Sequence, residues 1–222
     1  MGPGPELVVV PGLGALGYLR PALEAAAAVG PVRLLDVPGF GATRTSRCPS
    51  SLDDVSGTVA AWLGTGPTSA GVVLVGHSTG AQAALRAALA APDRVRALVL
   101  AGITFPPAAR AAGPLVGRTL RTVRHERPRE LAAVLPEYVR GGRRLGRLLR
   151  TALADRPEDA VRAVAVPLVV VRGRHDHLCD GAWAEHLAAT APDGRVVELP
   201  GAHNTSTTHP EQTAEAWWGA LR

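Results

Sequence analysis

The sequence predicts an α/β protein with a mainly parallel six-stranded sheet and helices on both faces. Six short runs rich in valine and leucine occur along the 222 residues, and longer alanine-rich or amphipathic stretches separate them. The runs are almost continuously apolar, as strands are when both faces of a parallel sheet are buried. A chain of this length is expected to form a single domain, residues 1–222.

The predicted strands share a β-branched core that is bounded by turn residues. In chain order they are Leu7–Val10, Val32–Leu35, Val72–Val75, Val95–Leu100, Leu168–Val171 and Val196–Leu199. The helices predicted between and after them are Leu19–Ala28, Leu52–Leu63, Ala81–Ala91, Gly181–Ala189 and one that opens at Thr208-x-x-Glu211. One face of the last helix is apolar, which indicates core packing, and it carries Ala214, Trp217, Trp218 and Leu221.

One long segment breaks this alternation. Between Thr104 and Ala160 the sequence predicts helices but no strand, with several proline and glycine interruptions. We interpret residues 104–160 as a helical lid inserted into the domain. Twelve of the 24 basic residues lie in this segment beside six acids, so it carries +6 while the whole chain carries +5. The arginines form either a solvated face or a surface that recruits an anionic substrate or an acidic carrier protein.

Composition and motifs argue against several other classes. The N-terminus lacks the pattern of a signal peptide and no run is long enough to span a membrane, so a cytoplasmic location without membrane association is expected. Cys48 and Cys179 lie far apart and form no CxxC motif, which favours free thiols over a disulfide or zinc site. Arginines without interleaved aromatic residues make poor nucleic-acid platforms. No cofactor is expected.

The segment Gly76-His77-Ser78-Thr79-Gly80 is the most informative motif. This G-x-S-x-G pattern directly follows the third predicted strand and precedes an alanine-rich helix. A serine on such a sharp strand-to-helix turn has its hydroxyl exposed, because the flanking glycines let the backbone pass closely. Ser78 is therefore the candidate nucleophile, whereas His77 is expected to pack or to line the pocket.

A serine nucleophile needs a base and an acid that orients the base. Asp176 follows the fifth predicted strand and His203 follows the sixth, so both lie at the carboxyl edge of the sheet, where α/β proteins collect catalytic groups. Alternatives remain at this stage. Asp180 could be the acid, His209, His175 or His177 could be the base, and His175-Asp176-His177 also allows a metal site.

These motifs resemble the α/β-hydrolase superfamily, in which the triad follows the order Ser, Asp, His. Asp36-Val37-Pro38-Gly39-Phe40-Gly41 matches the family's D-x-P-G-x-G loop, and Pro210-Glu211 follows His203 at the family's spacing. The likeness covers the chain except the lid, and it implies a sheet trimmed to six strands. It also implies an oxyanion hole formed by the backbone amides of Thr79 and Leu13, although Pro11-Gly12-Leu13 replaces the usual His-Gly-x.

The resemblance implies a serine hydrolase that cleaves a carboxylic ester of a small-molecule acyl substrate through an acyl-enzyme. A thioesterase acting on a carrier-protein or coenzyme A thioester is the leading alternative because of the basic lid. A lyase or cyclase on the same fold is a further alternative. A non-catalytic binding protein is disfavoured, because such a protein would be expected to have lost at least one of Ser78, Asp176 and His203.

Overall fold

The computed structural model describes residues 4–36, 50–65 and 70–222 of the chain. It confirms the predicted fold class, with six strands in one sheet whose pairings are all parallel. The strands are β1 (Glu6–Val10), β2 (Val32–Leu34), β3 (Val72–His77), β4 (Val95–Ala101), β5 (Leu168–Gly173) and β6 (Gly194–Leu199). Their order across the sheet is β2-β1-β3-β4-β5-β6, so β2 and β3 lie on opposite sides of β1.

Helices follow most of the strands, and short 3-10 turns occur beside them. The α-helices of the described residues are α1 (Arg20–Ala27), α2 (Leu52–Thr65), α3 (Thr79–Ala90), α4 (Ala112–Val123), α5 (Pro128–Gly141), α6 (Arg143–Ala154), α7 (Pro157–Ala160), α8 (Gly181–Thr190), α9 (Thr205–Thr208) and α10 (Pro210–Trp218). Segment 104–160 thus contains α4 to α7 and, as predicted, no strand.

The sheet separates two apolar layers. In β1, Val8 and Val10 pack into the layer formed with α2, α3 and α8, whereas Leu7 and Val9 pack into the layer formed with α1 and α10. This alternation follows from the two-residue period of a strand. Burial on both faces explains why the strands are continuously apolar, and it makes the sheet a firm base for groups at its carboxyl edge.

Segment 104–160 is joined to helix α3 by a buried carboxylate. Asp155, directly after α6, accepts hydrogen bonds from Arg86 Nε at 2.8 Å and from Gln82 Nε2 at 3.2 Å. Both partners lie on α3, the helix that follows Ser78. The Leu52 amide at the start of α2 also donates to Thr151 Oγ1 of α6. The segment is therefore held against the elements that carry the candidate nucleophile.

Some expectations differ from the structure or lie outside it. Helix α10 ends at Trp218, and Leu221 follows in a 3-10 turn with 44% of its surface exposed, so the prediction that Leu221 shares the buried face was wrong. From Gly219 the chain continues as a 3-10 turn, so Leu221 no longer follows the α-helical spacing of the buried face. Val37 to Gly41 of the predicted D-x-P-G-x-G loop, and Cys48, lie outside the described residues. None of the described helices is both long enough and apolar enough to cross a bilayer.

Candidate active site

Ser78 occupies a strained turn between β3 and α3. Its φ of 57° and ψ of −125° lie in a region that L-residues rarely adopt, and its amide donates to the Ala101 carbonyl at 2.9 Å. A Cβ at Gly80 would lie 2.6 Å from the Pro11 carbonyl oxygen, and one at Gly76 would lie 2.7 Å from the Ala81 nitrogen. Only glycine fits at these two positions, which is the physical reason for the motif.

Asp176 is buried beyond the end of β5, where backbone amides fix its carboxylate. Oδ1 accepts from the amides of Leu178 and Cys179 at 2.9 Å and 3.1 Å. The buried Arg172 supports the same loop by donating from Nε to the Cys179 carbonyl at 3.0 Å. Burial raises the pKa of Asp176, but His203 and these amides outweigh it, so the pKa lies below its ordinary value.

His203 is the partner of Asp176. Its Nδ1 lies 2.8 Å from Asp176 Oδ2, and only 12% of its side chain is exposed. Burial lowers the pKa of His203, but the charges of Asp176 and Glu126 and the Asp176 hydrogen bond raise it, and the net shift is upward. The hydrogen bond to Asp176 assigns the proton to Nδ1, which leaves Nε2 as the basic nitrogen.

Ser78 and His203 line the same cavity of about 300 Å³. No hydrogen bond joins the Ser78 hydroxyl to the His203 ring within the part of the chain that the structure describes. Catalytic hydrogen bonds are often long without substrate, so this separation is compatible with a nucleophile and its base. The structure thus brings Asp176 and His203 into contact and places Ser78 in the cavity that His203 lines.

Leu13 and Thr79, whose amides were predicted to form an oxyanion hole, lie in contact. Leu13 has a φ of 47°, and its amide donates to Thr79 Oγ1 at 2.9 Å. The preceding Gly12 is so close that a Cβ there would lie 2.7 Å from Ser78 Cβ. The loop after β1 is therefore at the elbow, but its Leu13 amide is bound to a hydroxyl that a substrate oxygen would have to displace.

A buried hydrogen-bonded chain connects this loop to the candidate base, and the sequence did not predict it. The Gly12 amide donates to Tyr18 Oη at 3.1 Å, Tyr18 Oη lies 2.7 Å from His77 Nδ1, and His77 Nε2 lies 3.0 Å from the His203 carbonyl. The carbonyl can only accept, so His77 carries its proton on Nε2 and Tyr18 donates to Nδ1. Burial and the nearby His203 lower the pKa of His77 to about 3, so its imidazole stays neutral.

The alternative site residues have other contacts. Asp180 caps α8 by accepting from the Trp183 amide at 2.9 Å, and it pairs with Arg118. The rings of His175 and His125 stack with centroids 4.3 Å apart. His209 Nδ1 lies 2.9 Å from Thr208 Oγ1. Among the described residues, no three His, Cys, Asp or Glu side chains are grouped so that they could hold a metal ion.

The parallel sheet and the elbow at the end of β3 define the class of α/β-hydrolase-fold proteins. The family model of the alpha/beta hydrolase family matches residues 7–216, and the chain belongs to this family.

Three known proteins are similar to this chain. A curated protein of Azorhizobium caulinodans, named "Putative carbamate hydrolase RutD", is 28% identical over 95% of this chain and 88% of its own length. A hydrolase from Pseudomonas aeruginosa has a similar structure, with a TM-score of 0.76 and 19% identity over 98% of this chain and 90% of its own. The enol-lactonase of Burkholderia xenovorans also gives a TM-score of 0.76 and 19% identity, over 99% and 92%. At these identities the two structures show the fold alone.

Proposed function

We propose that this protein is a serine hydrolase that cleaves carboxylic esters through an acyl-enzyme on Ser78. The observation that carries the proposal is the 2.8 Å contact between His203 and the buried Asp176 beside the cavity that Ser78 lines. A base oriented by a fixed carboxylate, next to a strained and partly exposed serine, is the arrangement that nucleophilic acyl transfer requires.

In the proposed reaction, His203 Nε2 takes the Ser78 proton as Oγ attacks the substrate carbonyl. Asp176 holds the imidazole and stabilises its positive charge. The amides of Thr79 and Leu13 stabilise the oxyanion, and the Leu13 amide must exchange Thr79 Oγ1 for the substrate oxygen. The imidazolium then protonates the leaving alcohol, and water activated by His203 releases the acid and regenerates Ser78.

Turnover of a panel of methyl and 4-nitrophenyl esters of increasing acyl length tests this proposal. The wild type should hydrolyse at least one short ester, and Ser78→Ala and His203→Gln should each reduce kcat by about 10³-fold or more. The similarity to RutD makes a carbamate the first non-ester substrate to include. Turnover that persists in Ser78→Ala would contradict the proposal.

A thioesterase acting on an acidic carrier is the second candidate, because segment 104–160 presents arginines at its surface. Exposed arginines of the described part of the segment are Arg121, Arg124, Arg127, Arg140, Arg143, Arg147, Arg150 and Arg156. Steering of an acidic partner by such charges weakens as salt is added. The kcat/KM for an acyl-carrier thioester should therefore fall steeply between low and physiological salt, and an unchanged value would exclude this candidate.

A further inference from the structure

Exposed aliphatic side chains are concentrated on two helices of segment 104–160. Six large apolar side chains of the described residues are exposed, and four of them lie on α4 and α5. These four, with 57% to 72% of their surface accessible, are Val116, Leu120, Leu135 and Val139. A single exposed aliphatic residue is ordinary on a protein surface, but such a concentration in one segment indicates contact with an apolar partner.

The exposed aliphatic residues lie beside the wall of the cavity that Ser78 lines. On each helix they form a pair four positions apart, so both members lie on the same side of the helix. Every member directly follows a residue of the cavity wall, in the order Leu115-Val116, Thr119-Leu120, Val134-Leu135 and Tyr138-Val139. Successive residues of a helix point about 100° apart. Helices α4 and α5 therefore line the cavity with one face and present aliphatic side chains on an adjoining outer face.

The charge exposed in this part of the chain is positive. Within residues 112–156 no described acidic side chain is exposed, whereas the eight arginines named above are. Two acids of this stretch bind inward: Glu126 accepts from the Asn204 amide at 2.9 Å, and Glu137 accepts from the Leu16 amide at 3.0 Å. An anionic lipid layer satisfies both kinds of exposed group, because its phosphates pair with guanidinium groups while aliphatic side chains enter the boundary of the acyl chains.

We propose that α4 and α5 dock this protein on the surface of an anionic lipid bilayer, into which they insert Val116, Leu120, Leu135 and Val139. The arginines favour this occupant over a second copy of the chain, because self-association would bring like charges together. The lack of a spanning run does not bear on docking of this kind, which lies on the bilayer surface. Docking would place the cavity next to the bilayer, so that an ester with a lipid chain would reach Ser78 from there. That consequence rests on the proposed hydrolase function, whereas the binding itself does not.

Flotation with lipid vesicles tests the proposal. The wild type should bind vesicles of phosphatidylcholine in which one quarter of the lipid is phosphatidylglycerol, and it should bind pure phosphatidylcholine about tenfold more weakly or less, because the arginines then face no net negative charge. Val116→Ser combined with Leu120→Ser should lower the partition coefficient about tenfold or more, and Leu135→Ser combined with Val139→Ser should do the same. The control is Val29→Ser, since this valine is 69% exposed but precedes β2 at the amino edge of the sheet. It should bind like the wild type.

A second pair of changes tests the contribution of charge. Arg121→Gln combined with Arg124→Gln should lower binding to the mixed vesicles about tenfold or more, whereas Arg96→Gln combined with Arg222→Gln, exposed arginines outside the segment, should lower it much less. Urea unfolding should be nearly unchanged in all these variants, because every changed side chain is exposed.

Three results would overturn the inference. They are a wild type that binds neither kind of vesicle, aliphatic-to-serine variants of α4 and α5 that bind as well as Val29→Ser, and a dimer or a complex with an acyl carrier protein that those variants abolish without any vesicle binding. Vesicle binding by a protein that cleaves no ester would instead contradict only the hydrolase proposal.

Discussion

At the scale of single residues, the pKa of His203 sets the pH dependence of the proposed reaction. His203 must be neutral to accept the Ser78 proton, and its pKa is raised above the ordinary 6.5. The kcat/KM for a neutral ester should therefore rise with pH through an apparent pKa above 6.5. Asp176→Asn removes the charge that raises this pKa, so the acid limb should move to lower pH while kcat falls by about 10⁴-fold. An acid limb that stays in place in Asp176→Asn would exclude His203 as the titrating base.

The glycines of the elbow give a second prediction at this scale. In Gly80→Ala, the new Cβ would lie 2.6 Å from the Pro11 carbonyl oxygen. Helix α3 and the loop after β1 would have to move apart. We expect a loss of about 1–3 kcal/mol in the free energy of unfolding, measured with urea. Gly57→Ala in α2 is the control, since nothing lies within 4 Å of its Cβ and it should stabilise the protein by about 0.5–1 kcal/mol. Equal effects of the two changes would refute the steric account.

At the scale of elements, the chain from Gly12 through Tyr18 and His77 links the loop after β1 to the loop after β6. Tyr18→Phe would leave a buried amide donor and a buried imidazole acceptor without their partner. The free energy of unfolding should fall by about 1–3 kcal/mol, and ester turnover should fall with it because both loops carry groups of the site. Tyr138→Phe is a fair control for stability, since no hydrogen bond of its hydroxyl is found in the described regions. Its unfolding should change little. A stable and fully active Tyr18→Phe would show that the chain is dispensable.

The sequence predicted the strand ends better than the contacts between loops. Asp176 and His203 could be placed at one sheet edge because each directly follows an apolar run, and parallel strands end on the same side. Tyr18 is 59 positions from His77, and Glu126 is 78 positions from Asn204. No local pattern marks such pairs, because tertiary packing alone creates them. His77 was placed within the elbow, but its Tyr18 partner carried no sequence signal.

At the scale of the whole molecule, the contacts of Asp155 hold segment 104–160 against helix α3, which packs on the sheet. Asp155→Asn removes the charge that binds the half-exposed Arg86 but keeps a polar side chain of the same size. We expect unfolding to become easier by about 1–3 kcal/mol, as for loss of a charged hydrogen bond. The control is Glu24→Gln in the exposed Arg20–Glu24 pair, which should show no measurable change. If Asp155→Asn also leaves the free energy of unfolding unchanged, the contact does not hold the segment.

The central claim is that Ser78 is an activated nucleophile, and labelling with a fluorophosphonate probe tests it most directly. Intact-mass and peptide mass spectrometry should show one adduct on Ser78 in the wild type and none in Ser78→Ala. Labelling of His203→Gln should be much slower than labelling of the wild type, since the base that activates the hydroxyl is lost. An unlabelled wild type, or an adduct that persists in Ser78→Ala, would contradict the account.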